Sequence, residues 1–215
     1  ISLSTIMNNT SHQISTGNDD AEECIGTGSV DLTSSDLELS MEITGGSCET
    51  SDENQEIGLR FQSVNVPTNA KAHVAYIEFE IDVVRSEDTN LTFYGENISD
   101  AVTFSSSTNN ITDRVKNLAS VDWIYVPSPS VNSNLTSPSI ASIINEIINL
   151  PGWAPGNDMA FIINGTGSRE TESFNGESGA AAFLGINYSQ FSEGNFTILE
   201  ANLTQNITQF VNITW

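Results

Sequence analysis

An all-β fold is what this sequence predicts: an antiparallel β-sandwich with one short α-helix and an extended terminal strand. Three observations predict it. Apolar and polar residues alternate in several runs, clusters of Gly, Asn and Ser separate those runs, and one stretch alone switches to helical spacing. The opening segment, with Ile1, Leu3 and Met7 roughly alternating, reads as a short strand. Leu37, Leu39, Met41 and Ile43, with Glu38, Ser40 and Glu42 between them, form a half-buried strand that Gly45 and Gly46 turn. Ile57, Leu59 and Phe61 form the next, ending before Pro67. Ala75, Ile77, Phe79, Ile81 and Val83 then share one face, with Glu78, Glu80 and Asp82 on the other. Shorter runs at 91–94, 121–126, 159–163 and 182–188 continue the pattern. Ile140, Ile143, Ile144, Ile147 and Leu150 recur at three- and four-residue spacing between Pro138 and Pro151-Gly152, which predicts a helix packed by its isoleucine stripe against one end of the sandwich.

Charge narrows the partners. Asp and Glu total 28 against 6 Lys and Arg, for a formal net charge of −22. Such a chain repels phosphate backbones and anionic lipid, so neither nucleic acid nor membrane insertion is expected, and no apolar run reaches spanning length. The first residue is Ile1, preceded by no basic-then-apolar leader, so the chain reads as a mature exported form located outside the cell or on its surface.

Asn-x-Ser/Thr acceptors support export. They stand at Asn8, Asn9, Asn90, Asn97, Asn110, Asn134, Asn164, Asn187, Asn195, Asn202, Asn206 and Asn212, twelve in all. With 23 Asn in the chain, chance would give roughly six such acceptors. Covalent N-glycans are therefore expected partners. The two cysteines, Cys24 and Cys48, are an even pair in an exported chain and read as a disulfide. Closing that loop stabilises the fold by about 3.5 kcal/mol in the chain-entropy model.

No cofactor is required by this reading, and structural Ca²⁺ is the one ion considered. The run Asp19, Asp20, Glu22 and Glu23, with Asp31, Asp36 and Glu38 nearby, offers hard oxygen ligands, of which Asp20, Glu22, Asp36 and Glu38 are the first choices; the alternative is a solvated acidic edge that discourages strand pairing. Arg60, between inward-facing Leu59 and Phe61, should point to the other face and meet a carboxylate. Trp123, Trp153 and Tyr94 are either core and end-cap residues or a sugar-stacking platform. The only histidines, His12 and His73, lie in no nucleophile-base signature, and the paired carboxylates belong to the general acidic background, so no enzyme is expected.

Several stretches together resemble a family of β-sandwich modules of large secreted bacterial and environmental surface proteins. They are DDAEE at Asp19 to Glu23, SSDLEL at Ser34 to Leu39, IGLRF at Ile57 to Phe61, and VP with AYIEF within Val66 to Phe79. FYGEN at Phe93 to Asn97, the Arg114 to Trp123 segment, PGWAPGN at Pro151 to Asn157 and INGTGSRE at Ile163 to Glu170 follow in family order. The resemblance covers residues 12–188. It implies an antiparallel jelly-roll-like β-sandwich similar to carbohydrate-binding modules in adhesive or wall-associated proteins, without enzyme activity. The chain departs from the family in its cysteine pair, its sequon density, and the segments outside that core.

The C-terminal segment is the most informative departure. Leu199, Ala201, Leu203, Gln205, Ile207, Gln209, Val211, Ile213 and Trp215 occupy one set of alternate positions, while Asn202, Asn206 and Asn212 fall on the other. These seventeen residues, extended, span about 55 Å with no turn to fold them back. An apolar face opposite a glycan-bearing face suits β-augmentation, with Leu199, Leu203, Ile207, Val211, Ile213 and Trp215 as the subunit contact. The expected organisation is an N-terminal extension over 1–11 that is a possible short donor strand, a sandwich over 12–188, and an inserted strand over 189–215. This architecture resembles the donor-strand subunits of extracellular glycosylated fibrils, which implies a homo-oligomeric filament. The alternatives are that the tail is the last strand of its own sandwich or a linker to a following module, and that the chain is a monomeric carbohydrate-binding or adhesion module of a secreted or cell-surface protein, with extracellular polysaccharide as its partner.

Overall fold

A computed structural model describes residues 5–42, 48 and 54–191. The strands are β1 (Thr5–Gln13), β2 (Asp20–Cys24), β3 (Val30–Asp31), β4 (Asp36–Glu38), β5 (Gln55–Phe61), β6 (Lys71–Val83), β7 (Asn90–Glu96), β8 (Lys116–Trp123) and β9 (Asn134–Thr136). The helix α1 (Ala141–Ile148) follows, then β10 (Met159–Thr166), β11 (Glu170–Glu172) and β12 (Phe183–Phe191). One six-stranded sheet runs β1-β12-β6-β11-β4 with β9 also paired to β6, and the other runs β3-β2-β5-β10-β7-β8. Every strand pair is antiparallel. The chain is thus an all-β sandwich with one short helix.

Alternation is what builds it. Ile77, Phe79 and Ile81 of β6 face Leu59, Phe61 and Phe161 of the second sheet inside one continuous core, and Phe61 meets Phe161 edge to face at 5.8 Å. A smaller cluster lies on the opposite side of the second sheet, where Phe104 and Ile111 of the 97–115 connection cover Ala21, Ala160 and Ile162. Gly58 permits that cover, since a Cβ there would stand 2.6 Å from the Phe104 ring. Helix α1 buries Ile143, Ile144 and Ile147 as the spacing predicts, and Ile148 besides. It also protects a sheet edge: the Glu146 carboxylate accepts the N–H of Ala119 on β8 at 2.9 Å, and Asn145 bonds both the N–H and the C=O of Ala72 on β6.

Some boundaries differ from the sequence expectation. The strand through Leu37 is confined to Asp36–Glu38, because Ser40 adopts φ 87 and breaks the extended backbone, leaving Met41 an isolated bridge to Asn54. The run expected at 121–126 begins earlier, at Lys116, and ends before Tyr125, whose φ is 56. Part of the segment expected as an extension, from Thr5 onward, is β1, paired with β12 of the same molecule. Cys24 and Cys48 form the expected disulfide, with Cα atoms 5.5 Å apart.

Candidate functional site

The first feature is the outer edge of the first sheet. β1 pairs with β12 without a bulge from Thr5↔Phe191 to Gln13↔Phe183, and among the described residues it has no second strand neighbour. Its sequence, TIMNNTSHQ, contains no charged residue and no proline. Edge strands are ordinarily blunted by charge, proline, a bulge or a cover, as α1 covers β8 here. β3 and β4 are edges of only two and three residues. β1 is nine residues long and, among the described residues, has none of these protections. Ile6 and Met7 on it are 43 % and 63 % exposed.

The second feature is the acidic run, and its role differs from a solvated edge. Asp19, Asp20, Glu22 and Glu23 are all buried. Each carboxylate holds a separate piece of backbone or a charged partner. Asp19 meets the Arg60 guanidinium at 2.6 Å, Asp20 accepts the N–H of Phe174, Glu22 accepts the N–H of Glu38, and Glu23 accepts the N–H groups of Ile111 and Thr112. Arg60 points away from the core, as expected, and also pairs with Asp158. Arg114 and Arg169 of the family-like segments do similar work, donating to the carbonyls of Asn110, Val102 and Thr103 and of Pro127, Glu87 and Val126 respectively.

Of the expected cation ligands, the structure brings Asp36, Glu22 and Glu38 into one neighbourhood and leaves Asp20 against Phe174. It adds two residues from distant strands: carboxylate oxygens of Asp36, Asp82 and Glu170 all lie within 4.8 Å of one another. Glu170 stands opposite Glu38 across β11 and β4 and is paired with Arg85. These oxygens are of the type a hard cation takes, although the Arg85 guanidinium already supplies one compensating charge. A second group, Cys24, Glu42 and Cys48, is equally close, but its sulfurs are joined to each other and offer no thiolate. Burial pushes Glu22 and Glu38 up from the usual carboxylate range; the neighbouring Glu38 raises Glu22 further, whereas the side-chain hydrogen bond with Glu22 draws Glu38 back down. Burial likewise raises Asp20 to about 6, Glu170 to about 7 and Glu172 to about 6.

The third feature is the acceptor asparagines. Asn8, Asn9, Asn90, Asn97, Asn110, Asn134, Asn164 and Asn187 fall within the described residues, and none is buried. Asn9 and Asn187 are directly opposed across β1 and β12, and Asn134 lies on β9 opposite Glu80. Asn195, Asn202, Asn206 and Asn212 lie outside the described residues, as do the expected contact residues Leu199, Leu203, Ile207, Val211, Ile213 and Trp215. Trp123 and Trp153 are core residues: Trp123 packs on Phe93, and the Trp153 indole N–H donates to the Val66 carbonyl. Tyr94 lies on the opposite side of the sheet beneath Lys116, so the three rings form no common platform.

No family model and no curated protein matches the chain. Among solved structures, similarity is found to the CBM22-1 and GH10 modules of the N-terminal endo-1,4-beta-D-xylanase 10B of Clostridium thermocellum, complexed with xylohexaose. The identity is 10 % and the TM-score 0.24, over 90 % of this chain and 30 % of that one. No helix among the described residues is long and apolar enough to cross a membrane.

Proposed function

We propose that this chain is a structural subunit of an extracellular N-glycosylated filament, in which the segment of alternating residues 199–215 of one copy, beyond the end of β12 at Phe191, adds to the β1 edge of the next. The observation that carries this reading is the β1 edge itself: nine residues of neutral strand that no other described strand pairs on its outer side, on a chain of net charge −22. Such a charge makes like subunits repel. The two segments proposed to meet add little to that repulsion, because β1 has no charged residue and residues 199–215 contain only Glu200.

Strand addition joins backbone to backbone, so the side chains of β1 remain on the two faces of the sheet, where Asn8 and Asn9 can bear sugars without occupying the hydrogen-bonding edge. A donor segment and an acceptor edge at different places on one molecule make a heterologous contact, which propagates when it does not close into a ring. Glycans on both sheets then shield the exterior from proteases and lateral association.

Truncation after Ile198 tests the reading, since it leaves β12 whole. The full chain should elute from size-exclusion chromatography as large species and show filaments by electron microscopy, and the truncated chain should elute as a folded monomer. Monomeric elution of both would favour the second reading, a carbohydrate-binding or adhesion module built on the same sandwich.

A further inference from the structure

A cleft of about 200 Å³ opens on the outer face of the first sheet, lined by Gln13, Glu78, Glu80, Asn134, Ala180 and Phe183 among others. Register explains the grouping. Gln13 is opposed to Phe183, Phe183 to Glu78, and Glu78 to Thr136, so these four side chains form one row across four strands. Glu80 and Asn134 form the adjacent row. The Gln13 amide fixes the rim by donating to the carbonyls of Gly179 and Ala181 at 2.9 and 3.0 Å. Asn134 and Thr136 are the acceptor and the hydroxyl residue of one sequon, and both bond Glu78: the Asn134 amide to one carboxylate oxygen at 2.9 Å and the Thr136 hydroxyl to the other at 3.0 Å.

We infer that this cleft seats the first sugar of a glycan linked to Asn134, so that this glycan is a packed part of the fold while others, such as that on Asn97, stand free in solvent. The inference rests on the reading of the chain as an exported N-glycoprotein. In the linkage, Nδ2 of Asn134 forms its bond to C1 of a sugar delivered on a phosphate-activated carrier. The amide gives up one proton and the carrier phosphate departs with the bonding electrons of the broken C1–O bond. One N–H remains on Nδ2, so the hydrogen bond to Glu78 is kept and the sugar is directed from a fixed amide. Phe183 supplies an aromatic surface for the C–H face of a sugar ring, and the Glu80 carboxylate accepts from its hydroxyls. The cleft is the size of a sugar ring, and Asn134 is among the residues that line it.

The full chain tests this as wild type, Asn134→Gln, Phe183→Ala and the double variant, each produced in a glycosylating and a non-glycosylating host. Peptide mapping should find Asn134 modified. Asn134→Gln should lower Tm by about 3 °C more in the glycosylating host than in the other, the size of a modest packing loss in a domain of this length. Phe183→Ala should abolish that difference. Should Phe183→Ala fail to fold, digestion of the native wild type with an amidase that cleaves the Asn–glycan bond serves instead: Asn97 should be released well before Asn134. A Tm drop equal in both hosts, equal release rates, or an unmodified Asn134 beside other modified sequons overturns the seat and leaves the filament reading untouched. Absence of sugar at every sequon would overturn both the seat and the glycoprotein reading.

Discussion

Replacing Arg60 with Met should destabilise the sandwich by about 3–5 kcal/mol, the cost of leaving a buried charge without its partner. Arg60 sits where four segments converge. Its guanidinium binds Asp19, whose side chain is 0 % exposed, and Asp158 immediately before β10. Its Nε donates to the Ala101 carbonyl at 2.7 Å. Met preserves much of the aliphatic volume but removes the fork, and Asp19 keeps only neutral donors from Thr16, Gln62 and Thr103. In a domain of this length the loss should lower Tm by on the order of 10 °C. Arg60→Lys should fall between, since it retains charge without bidentate geometry. Pairing Arg60→Met with Asp19→Asn should recover part of the loss. A Tm within 2 °C of wild type, roughly the resolution of a half-kcal change, would show that the cluster contributes little.

Raising the pH from 5 to 8 should lower stability. Asp20, Glu170 and Glu172 are raised to about 6, 7 and 6, and Glu22 and Glu38 are raised also. A group whose folded pKa exceeds its unfolded value contributes stability that is complete below the unfolded pKa and disappears as pH rises through the folded one. For these acids the window runs from near pH 4 to above pH 7. His12, lowered chiefly by burial, acts in the opposite sense, because its contribution is lost as pH falls. One imidazole opposes five carboxyls, so the net trend is loss toward alkaline pH. Thermal melts across this range should show Tm falling by several degrees, and a flat or rising profile would contradict the burial of this cluster. If Asp36, Asp82 and Glu170 hold Ca²⁺, added Ca²⁺ should restore Tm at pH 8 and do less at pH 5, where Glu170, raised to about 7, carries a proton. A melt at pH 8 unmoved by Ca²⁺ or chelator removes the ion from the reading.

The strands that were legible are those with a strict two-residue period. β5 and β6 place Leu59, Phe61, Ile77 and Phe79 in the core as their alternation requires, and the same parity sends Arg60 outward to its carboxylates. The helix was legible from its isoleucines, although its C-terminal end at Ile148 precedes Leu150. β9 was not legible, because three residues are too few to show a period. β1 gave only a partial signal, since the edge strand TIMNNTSHQ has polar residues on both faces. The acidic run was misleading for a physical reason: in DDAEE, burial is offset by hydrogen bonds to Arg60, Phe174, Glu38, Ile111 and Thr112, partners that only the fold brings near. For the same reason Asp82 and Glu170 could not be joined to Asp36 from spacing alone.

The filament reading depends on where residues 199–215 lie relative to β1. A photo-crosslinking residue at Met7, exposed on the open edge, resolves this in assemblies grown from mixed ¹⁵N-labelled and unlabelled chains. Cross-linked peptides should join β1 of one isotopic chain to residues 199–215 of the other. Cross-links confined to a single chain, or reaching a neighbour without its terminal segment, would contradict strand exchange between subunits.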